Sequence, residues 1–420
     1  MTDPVPGPGH TRAHIARLFS ARSPAELKTR LAPKSHPAPP RVPSQGEPAA
    51  RWDALPLPPT ARGDLLDAWT EERAARYEHN VENLIGTVKV PVGLVGPMRV
   101  NGLFAQGDFY VPLATTEAAL VASYNRGARI LTACGGASAM LLVESVNRSP
   151  GFAFGTLAEA GEFVVWALSN VETFRKVAEA TTRHGKLIDM RVTVEGNHVY
   201  LNFEYHTGDA SGQNMVTIAT EAVHQHILAH APVKPRYSFV EANLSGDKKA
   251  SAVSFLLVRG RKVSAEVVVP RQLVVDVLHT TPERMVDYWR MSAVGGVLSG
   301  TMGVQGHYAN ALAALYLACG QDVACVAESA VGVTRYELTA EGDLYASVTL
   351  PNIMVGTVGG GTALPSQKDC LDILGLAGAG RSQALAEVAA TICLAGELSI
   401  VGAFCAGHFA AAHQRLARGA

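Results

Sequence analysis

From Ser292 to Gly320 the chain carries no Asp, Glu, Lys or Arg. So long an uncharged run must leave water somewhere, either across a bilayer or inside a large core. Glycines at 295, 296, 300, 303 and 306, with the polar Gln305, His307 and Asn310, interrupt it. That pattern reads as a glycine-rich turn feeding a helix buried inside protein, in a soluble chain with no membrane partner. The composition can supply such a core, since 48% of the 420 residues are hydrophobic and 17% charged. The length suits roughly two to three domains.

A net charge of −1 and a pI near 6.9 offer no basic surplus for nucleic acid or an anionic membrane. Cys134, Cys319, Cys325, Cys370, Cys393 and Cys405 form no Cys-x-x-Cys pair. They read as small buried residues in a reducing compartment, not as a disulfide framework or a metal site. The N-terminus is Pro-rich and lacks the apolar stretch of a signal peptide, so a cytoplasmic protein is expected.

Residues 1–60 hold 13 of the 23 prolines. Short helices fit Thr11–Ser20 and Pro24–Leu31, and the rest of this segment reads as flexible or loosely attached. Leu65–His79 reads as a helix and Val88–Val111 as strand-rich and glycine-punctuated. Thr116 opens a helix with Glu117 in its first turn and Leu120, Val121 and Tyr124 at helical spacing. Then come a helix (Glu159–Ala180), a strand (Leu187–Val194), a turn at 195–197, a strand (His198–Tyr205) and a helix (Asn214–Ala231). This alternation predicts a small α+β domain inserted into a larger one. Strands and long Ala- and Gly-rich helices follow over 250–420.

Four segments can carry chemistry. In Asp247-Lys248-Lys249 an acid adjoins two lysines, either a solvated turn or a cation placed against an acyl oxygen; strand-like residues (Val253, Phe255, Leu256) follow. Glu117 in Thr115-Thr116-Glu117 is either a helix-start acid favoured by the macrodipole or, in a dry site, a proton donor with a raised pKa. Asp322 in Gly320-Gln321-Asp322 is a cap or a bridge between a lysine and an acid. Gly359-Gly360-Gly361 is a flexible turn or a place where backbone amides approach a phosphate or ribose. No Gly-x-Gly-x-x-Gly occurs, so a dinucleotide would bind outside a Rossmann fold. Three further candidates are weaker. The Asp209–Asn214 turn caps a helix or receives an anion. Arg183 is a surface arginine or meets a 2′-phosphate. His408 and His413, five apart, do not share a helix face well enough for one metal; either could deliver a proton from a mobile tail.

Taken in order, these segments resemble the 3-hydroxy-3-methylglutaryl-coenzyme A (HMG-CoA) reductase family over about residues 75–418. Glu82-Asn83-Leu84-Ile85-Gly86, Pro91-Val92-Gly93, Gly356 to Thr362 and Gly396-Glu397-Leu398-Ser399 match alongside them. The resemblance implies a non-Rossmann α+β fold. A large domain (61–150 and 240–394) would surround a long central helix. A small ferredoxin-like α+β domain (151–239) would be inserted to bind NADPH, after the N-terminal segment (1–60). A C-terminal helix or flap (395–420) would carry the catalytic histidine. It further implies a homodimer or higher oligomer, with active sites between subunits, acting on a small-molecule acyl thioester. NADPH is the implied cofactor, with no metal.

Residue by residue, it implies Lys248 at the thioester oxygen, Glu117 as proton donor, Asp322 bonded to both, and His413 protonating the departing CoA thiolate. Arg148, Asp247, Lys249, Asn310 and Glu241 match positions around the acyl group, and Ser123, Asn125 and Arg126 match the CoA side. Arg183, the turn Asp209, Ala210, Ser211, Gly212, Gln213 and Asn214, and Gly359, Gly360, Gly361 and Thr362 match NADPH contacts. The sequence departs from the family pattern in places. Glu241 stands where the family carries Ser, and an acid there would repel a glutaryl carboxylate unless protonated or turned away. No Lys occurs near Arg290, and His279 replaces a CoA-contacting Lys. The implied reaction is NADPH-dependent reductive deacylation of HMG-CoA to mevalonate and CoA. The alternatives are the same chemistry on another acyl thioester, or a non-catalytic nucleotide-binding relative.

Overall fold

The structure, a computed structural model, describes residues 23–35, 38 and 40–407. The chain divides into two compact units. In the first (residues 1–71 with 83–86), proline opens each of the helices Pro24–Leu31, Pro48–Ala54 and Pro59–Leu65. That position suits a residue with fixed φ and no N–H to lose. Trp52 is buried and its Nε1 donates to the Ile85 carbonyl at 2.7 Å. Arg51 Nη1 donates to the Leu84 carbonyl at 3.1 Å. Residues 48–54 are therefore ordered and partly buried, not the loose tail that proline content suggested. The helix expected over 65–79 breaks at Leu66 and resumes as Ala68–Glu72 and a 3-10 turn at Ala74–Arg76. The first expected helix, Thr11–Ser20, lies outside the described residues.

The second unit holds two sheets joined by one strand. The strands are β1 (Val92–Gly102), β2 (Gln106–Ala114), β3 (Ala137–Arg148), β4 (Gly151–Ala153), β5 (Lys186–Glu195), β6 (His198–His206), β7 (Tyr237–Phe239), β8 (Gly260–Val269), β9 (Gly303–Val304), β10 (Gly332–Leu338) and β11 (Leu344–Ile353). The larger sheet runs β2-β1-β3-β8-β11-β10-β9. β3 pairs with β8 over Ser138–Ser145, then with β6 over Val146–Arg148, and so passes into the second sheet. There the order is β7-β4-β6-β5, all antiparallel. Two helices, α2 (Leu157–Ser169) and α3 (Val171–Glu179), connect β4 to β5, and α4 (Gln213–His230) connects β6 to β7. This β-α-β-β-α-β order is the ferredoxin-like arrangement. The single helix expected over 159–180 is divided at Asn170.

The uncharged run divides. Its first part ends α5 (Pro282–Ser299), whose Met291, Val294, Val297 and Leu298 are exposed. After the glycine-rich turn its second part forms α6 (Tyr308–Ala318), buried as expected. The most buried helix is α7, Ser382–Ala406. It is long and apolar enough to cross a membrane, yet it lies within the core against β8, β11 and the helix α1 (Leu120–Ala133). It runs unbroken across 394 and 395. Gly127 of α1 permits the crossing, because a Cβ there would meet the Ala395 carbonyl oxygen at 1.9 Å. Two buried carboxylates project from α7. Glu387 accepts from the backbone N–H of Leu103, Phe104, Ala105 and Leu141. Glu397 does the same for Gly306 and His307.

Candidate active site

Lys248 stands in a turn, at φ 54°, a backbone state few non-glycine residues adopt. Its N–H donates to Glu328 Oε1 at 3.3 Å, and its Nζ lies 2.8 Å from Asp322 Oδ2. Asp322 also accepts from Ala324 N–H through Oδ1 at 3.1 Å and from Gln213 Nε2 through Oδ2 at 3.1 Å. It caps the turn that follows it and joins Lys248 to Gln213, and Glu117, the acid expected on it, is not among its contacts. The segment after Lys249 is a 3-10 turn (Ala252–Phe255) instead of the expected strand, and β8 begins only at Gly260. The hydrogen bond from Lys248 to Asp322 raises the Lys248 pKa, so the ammonium persists above neutral pH. Burial pushes the Asp322 carboxyl up, but Lys248 and the other donors outweigh it and hold it below the usual carboxylate range.

Removing the acid therefore lowers the Lys248 pKa. The alkaline limb of kcat/KM, where Lys248 loses its proton, should move to lower pH in Asp322→Asn. Coincident pH profiles for the two proteins would remove Asp322 from this role.

Beneath Lys248 lies a network that sequence reading missed. Arg259 is 1% exposed and pairs with Glu328 at 2.5 Å and Asp247 at 2.9 Å. Burial opposes its charge, and the two carboxylates outweigh that and keep the guanidinium protonated. The signal was present, because Arg259 and Arg261 flank one glycine at the start of a strand whose alternate residues Val263, Ala265, Val267 and Val269 are apolar. Arg148 Nη1 reaches Asp247 Oδ2 at 3.0 Å and Glu241 Oε2 at 3.2 Å. Glu241 is thus turned onto an arginine. Lys249 is exposed, with Nζ on the Asp247 carbonyl at 2.9 Å.

Glu117 is not in a helix. α1 begins at Leu120 behind Ala119 at φ 68°, and Glu117 lies in the preceding turn, its N–H on Thr115 Oγ1 at 3.0 Å. It is exposed, so one chain does not supply the dry enclosure expected around it. Its side-chain contact is with Asn310 Nδ2, at 3.4 Å. Asn310 opens α6, whereas Asp322 follows its far end. Eight helical residues, 311–318, lie between Asn310 and the end of α6, about 12 Å of helix axis. Glu117 and Asn310 thus form one group, and Lys248 and Asp322 another.

A cleft of about 560 Å³ brings together Ala210 to Asn214, Gly320 to Asp322 and Gly359 to Thr362. No side chain caps the N-terminus of α4 at Gly212, so first-turn amides stay available to an anion. Gly356 packs so closely that a Cβ would meet the Ser211 nitrogen at 2.4 Å. Glycine-rich backbone beside an open helix end fits the phosphates of a dinucleotide. Two expected members lie elsewhere. Asp209 accepts from Gly380 N–H at 2.8 Å and Ser382 Oγ at 2.9 Å, fixing the start of α7. Arg183 is exposed before β5 and does not line this cleft.

Ser123 and Arg126 turn toward α7. Ser123 Oγ lies 2.8 Å from Ser399 Oγ, and Arg126 Nη2 donates to the Ser399 carbonyl at 2.7 Å. Asn125 Oδ1 accepts from Gly96 N–H at 3.1 Å. These contacts tie the three half-buried residues to β1 and α7. His408 and His413 lie outside the described residues; α7 ends at Ala406, with Gly407 at φ 71°. Among the described residues no group of three His, Cys, Asp or Glu could hold a metal ion.

The profile of the family described as hydroxymethylglutaryl-coenzyme A reductase matches residues 49–418. The 3-hydroxy-3-methylglutaryl-coenzyme A reductase of Methanothermobacter thermautotrophicus is 45% identical over 350 residues, 83% of this chain and 87% of that protein. That of Pyrococcus horikoshii is 45% identical over 81% of this chain and 84% of its own. The NADPH-bound class II enzyme of Streptococcus pneumoniae, in open conformations, superposes with a TM-score of 0.64 at 19% identity. That match covers 79% of this chain and 89% of the other.

Proposed function

This chain belongs to the hydroxymethylglutaryl-coenzyme A reductase family, and on that premise we propose how its residues divide the work. The reaction is the NADPH-dependent reduction of HMG-CoA to mevalonate and CoA. Another acyl thioester or a non-catalytic role is not favoured, since the family match spans residues 49–418 and Glu117, Lys248, Asp322 and His413 are all present. NADPH, bound in the glycine-rich cleft, supplies the two hydrides. Lys248 stabilises the negative charge that develops on the acyl oxygen at each reduction. Asp322 keeps the ammonium charged and aimed. When the first tetrahedral adduct collapses, the C–S bond breaks and His413 gives its proton to the leaving thiolate. Glu117 protonates the alkoxide formed from the aldehyde.

The carrying observation is the Lys248–Asp322 pair at 2.8 Å, with Asp322 lining the nucleotide cleft. The separation of Glu117 from this pair along α6 supports an active site built from two chains: the acid of one subunit faces the lysine of another in a homodimer or higher oligomer. The six free cysteines suit a reducing cytoplasm. Purified protein given HMG-CoA should oxidise two NADPH for each CoA thiol released and yield mevalonate. Thiol release without NADPH oxidation would mean hydrolysis and would sink the reading.

A further inference from the structure

The acyl end of the site is occupied by the protein's own acid. Glu241 takes three donors: Arg148 Nη1 at 3.2 Å and Ser245 Oγ at 3.0 Å on Oε2, and the Asn243 N–H at 2.7 Å on Oε1. Arg148 is buried, with a side chain 8% exposed, and Asp247 already shares its Nη1. In the cluster four carboxylates face three cations. Arg148, Arg259 and Lys248 face Glu241, Asp247, Glu328 and Asp322. The fourth cation, Lys249, is exposed on the Asp247 carbonyl. No buried cation is left over for an incoming anion. HMG-CoA brings one, because its acyl chain ends in a carboxylate a few bonds from the thioester carbon that Lys248 serves. A second carboxylate placed beside Glu241 would be repelled in a partly desolvated site.

We propose that Glu241 is a specificity-determining residue, an internal carboxylate that competes with the terminal carboxylate of the substrate for Arg148 and so weakens its binding. The inference rests on the HMG-CoA reading. Both acids use Arg148 Nη1, and among the described residues its Nε has no hydrogen-bond partner. A substrate carboxylate that docks on Nη1 must displace Glu241 from it. Its side chain is 24% exposed, so it can rotate into solvent while Ser245 and Asp247 stay in place. Glu241 therefore acts on substrate affinity and leaves the reduction steps at Lys248 unchanged.

Two variants and two thioesters test this. Glu241→Ser and Glu241→Gln remove the charge, the second with little change of shape. Each is titrated with HMG-CoA without NADPH, where no reaction occurs, and assayed with NADPH. The comparison thioester is 3-hydroxy-3-methylbutyryl-CoA, which lacks only the terminal carboxylate. Both variants should bind HMG-CoA about tenfold more tightly, the effect of removing one like charge from a partly buried site. KM should fall with kcat held within about twofold, and affinity for the carboxylate-free thioester should not change. Unchanged or weaker HMG-CoA binding in both, with wild-type melting temperatures, overturns the proposal. So does equal tightening toward both thioesters, since Glu241 would then act on loop shape alone. If the titrations behave as expected but no protein oxidises NADPH with HMG-CoA, the competition stands and the assigned reaction fails.

Discussion

Lys248→Ala should lower kcat for HMG-CoA reduction by about 1,000-fold while leaving NADPH binding within about twofold. Removing one preorganised donor from an oxyanion site typically costs about 100- to 1,000-fold. The upper end applies because this donor is a full cation used at both reductions. Folding is not the cause of the loss. The Lys248 side chain is 42% exposed, and alanine at φ 54° carries much the same backbone penalty as lysine. Lys248→Arg should also remain slow, since a planar fork cannot take the place of a point charge held 2.8 Å from Asp322. Steady-state rates beside cofactor titration decide it. Activity of Lys248→Ala within tenfold of wild type would leave this site without its electrophile.

What could be read in the sequence was local. Alternating residues marked β5 and β6, and helical spacing marked α4, each within a residue or two of the observed ends. The Lys248 turn could be singled out because an acid adjoins two lysines between apolar segments, whereas the role expected of Lys248 came from the family resemblance. The misses have two main causes, a contact far off in sequence and an unusual dihedral. Glu117 fits a helix start by pattern, but Ala119 in the left-handed region delays α1. Asp209 has the signature of a local cap, yet it bonds residues 380 and 382. The partners of Arg259 lie near 247 and 328. The Leu65–His79 pattern has helical periodicity but breaks at Leu66, and nothing in its periodicity forecasts that break. Glu241 is the instructive case. Its charge was visible, whereas its pairing with Arg148 depends on β3 delivering that arginine from 93 residues away.

Glu397→Ala should lower the unfolding free energy by about 4 kcal/mol, more than most core truncations in the chain. The carboxylate is 1% exposed in the middle of α7. It accepts from Gly306 N–H at 2.8 Å, His307 N–H at 2.8 Å and Thr334 Oγ1 at 2.8 Å. Alanine would strand one buried donor, the Thr334 hydroxyl, and two partly buried backbone N–H groups, and leave a cavity; a buried donor without a partner costs about 1–3 kcal/mol. Glutamine fills the space and keeps one acceptor, so Glu397→Gln should lose about half as much. Urea midpoints at fixed protein concentration, with the denaturant slope unchanged, measure both. Midpoints for both variants equal to wild type would mean that solvent or rearranged backbone serves these donors instead. The effect also reaches the site. The backbone that Glu397 holds runs straight into the first turn of α6, and Asn310 reaches Glu117 from there. Freed from that anchor, the turn aims Asn310 less well. Glu397→Gln should therefore lower kcat under conditions where it is still fully folded, although position 397 touches neither substrate nor cofactor.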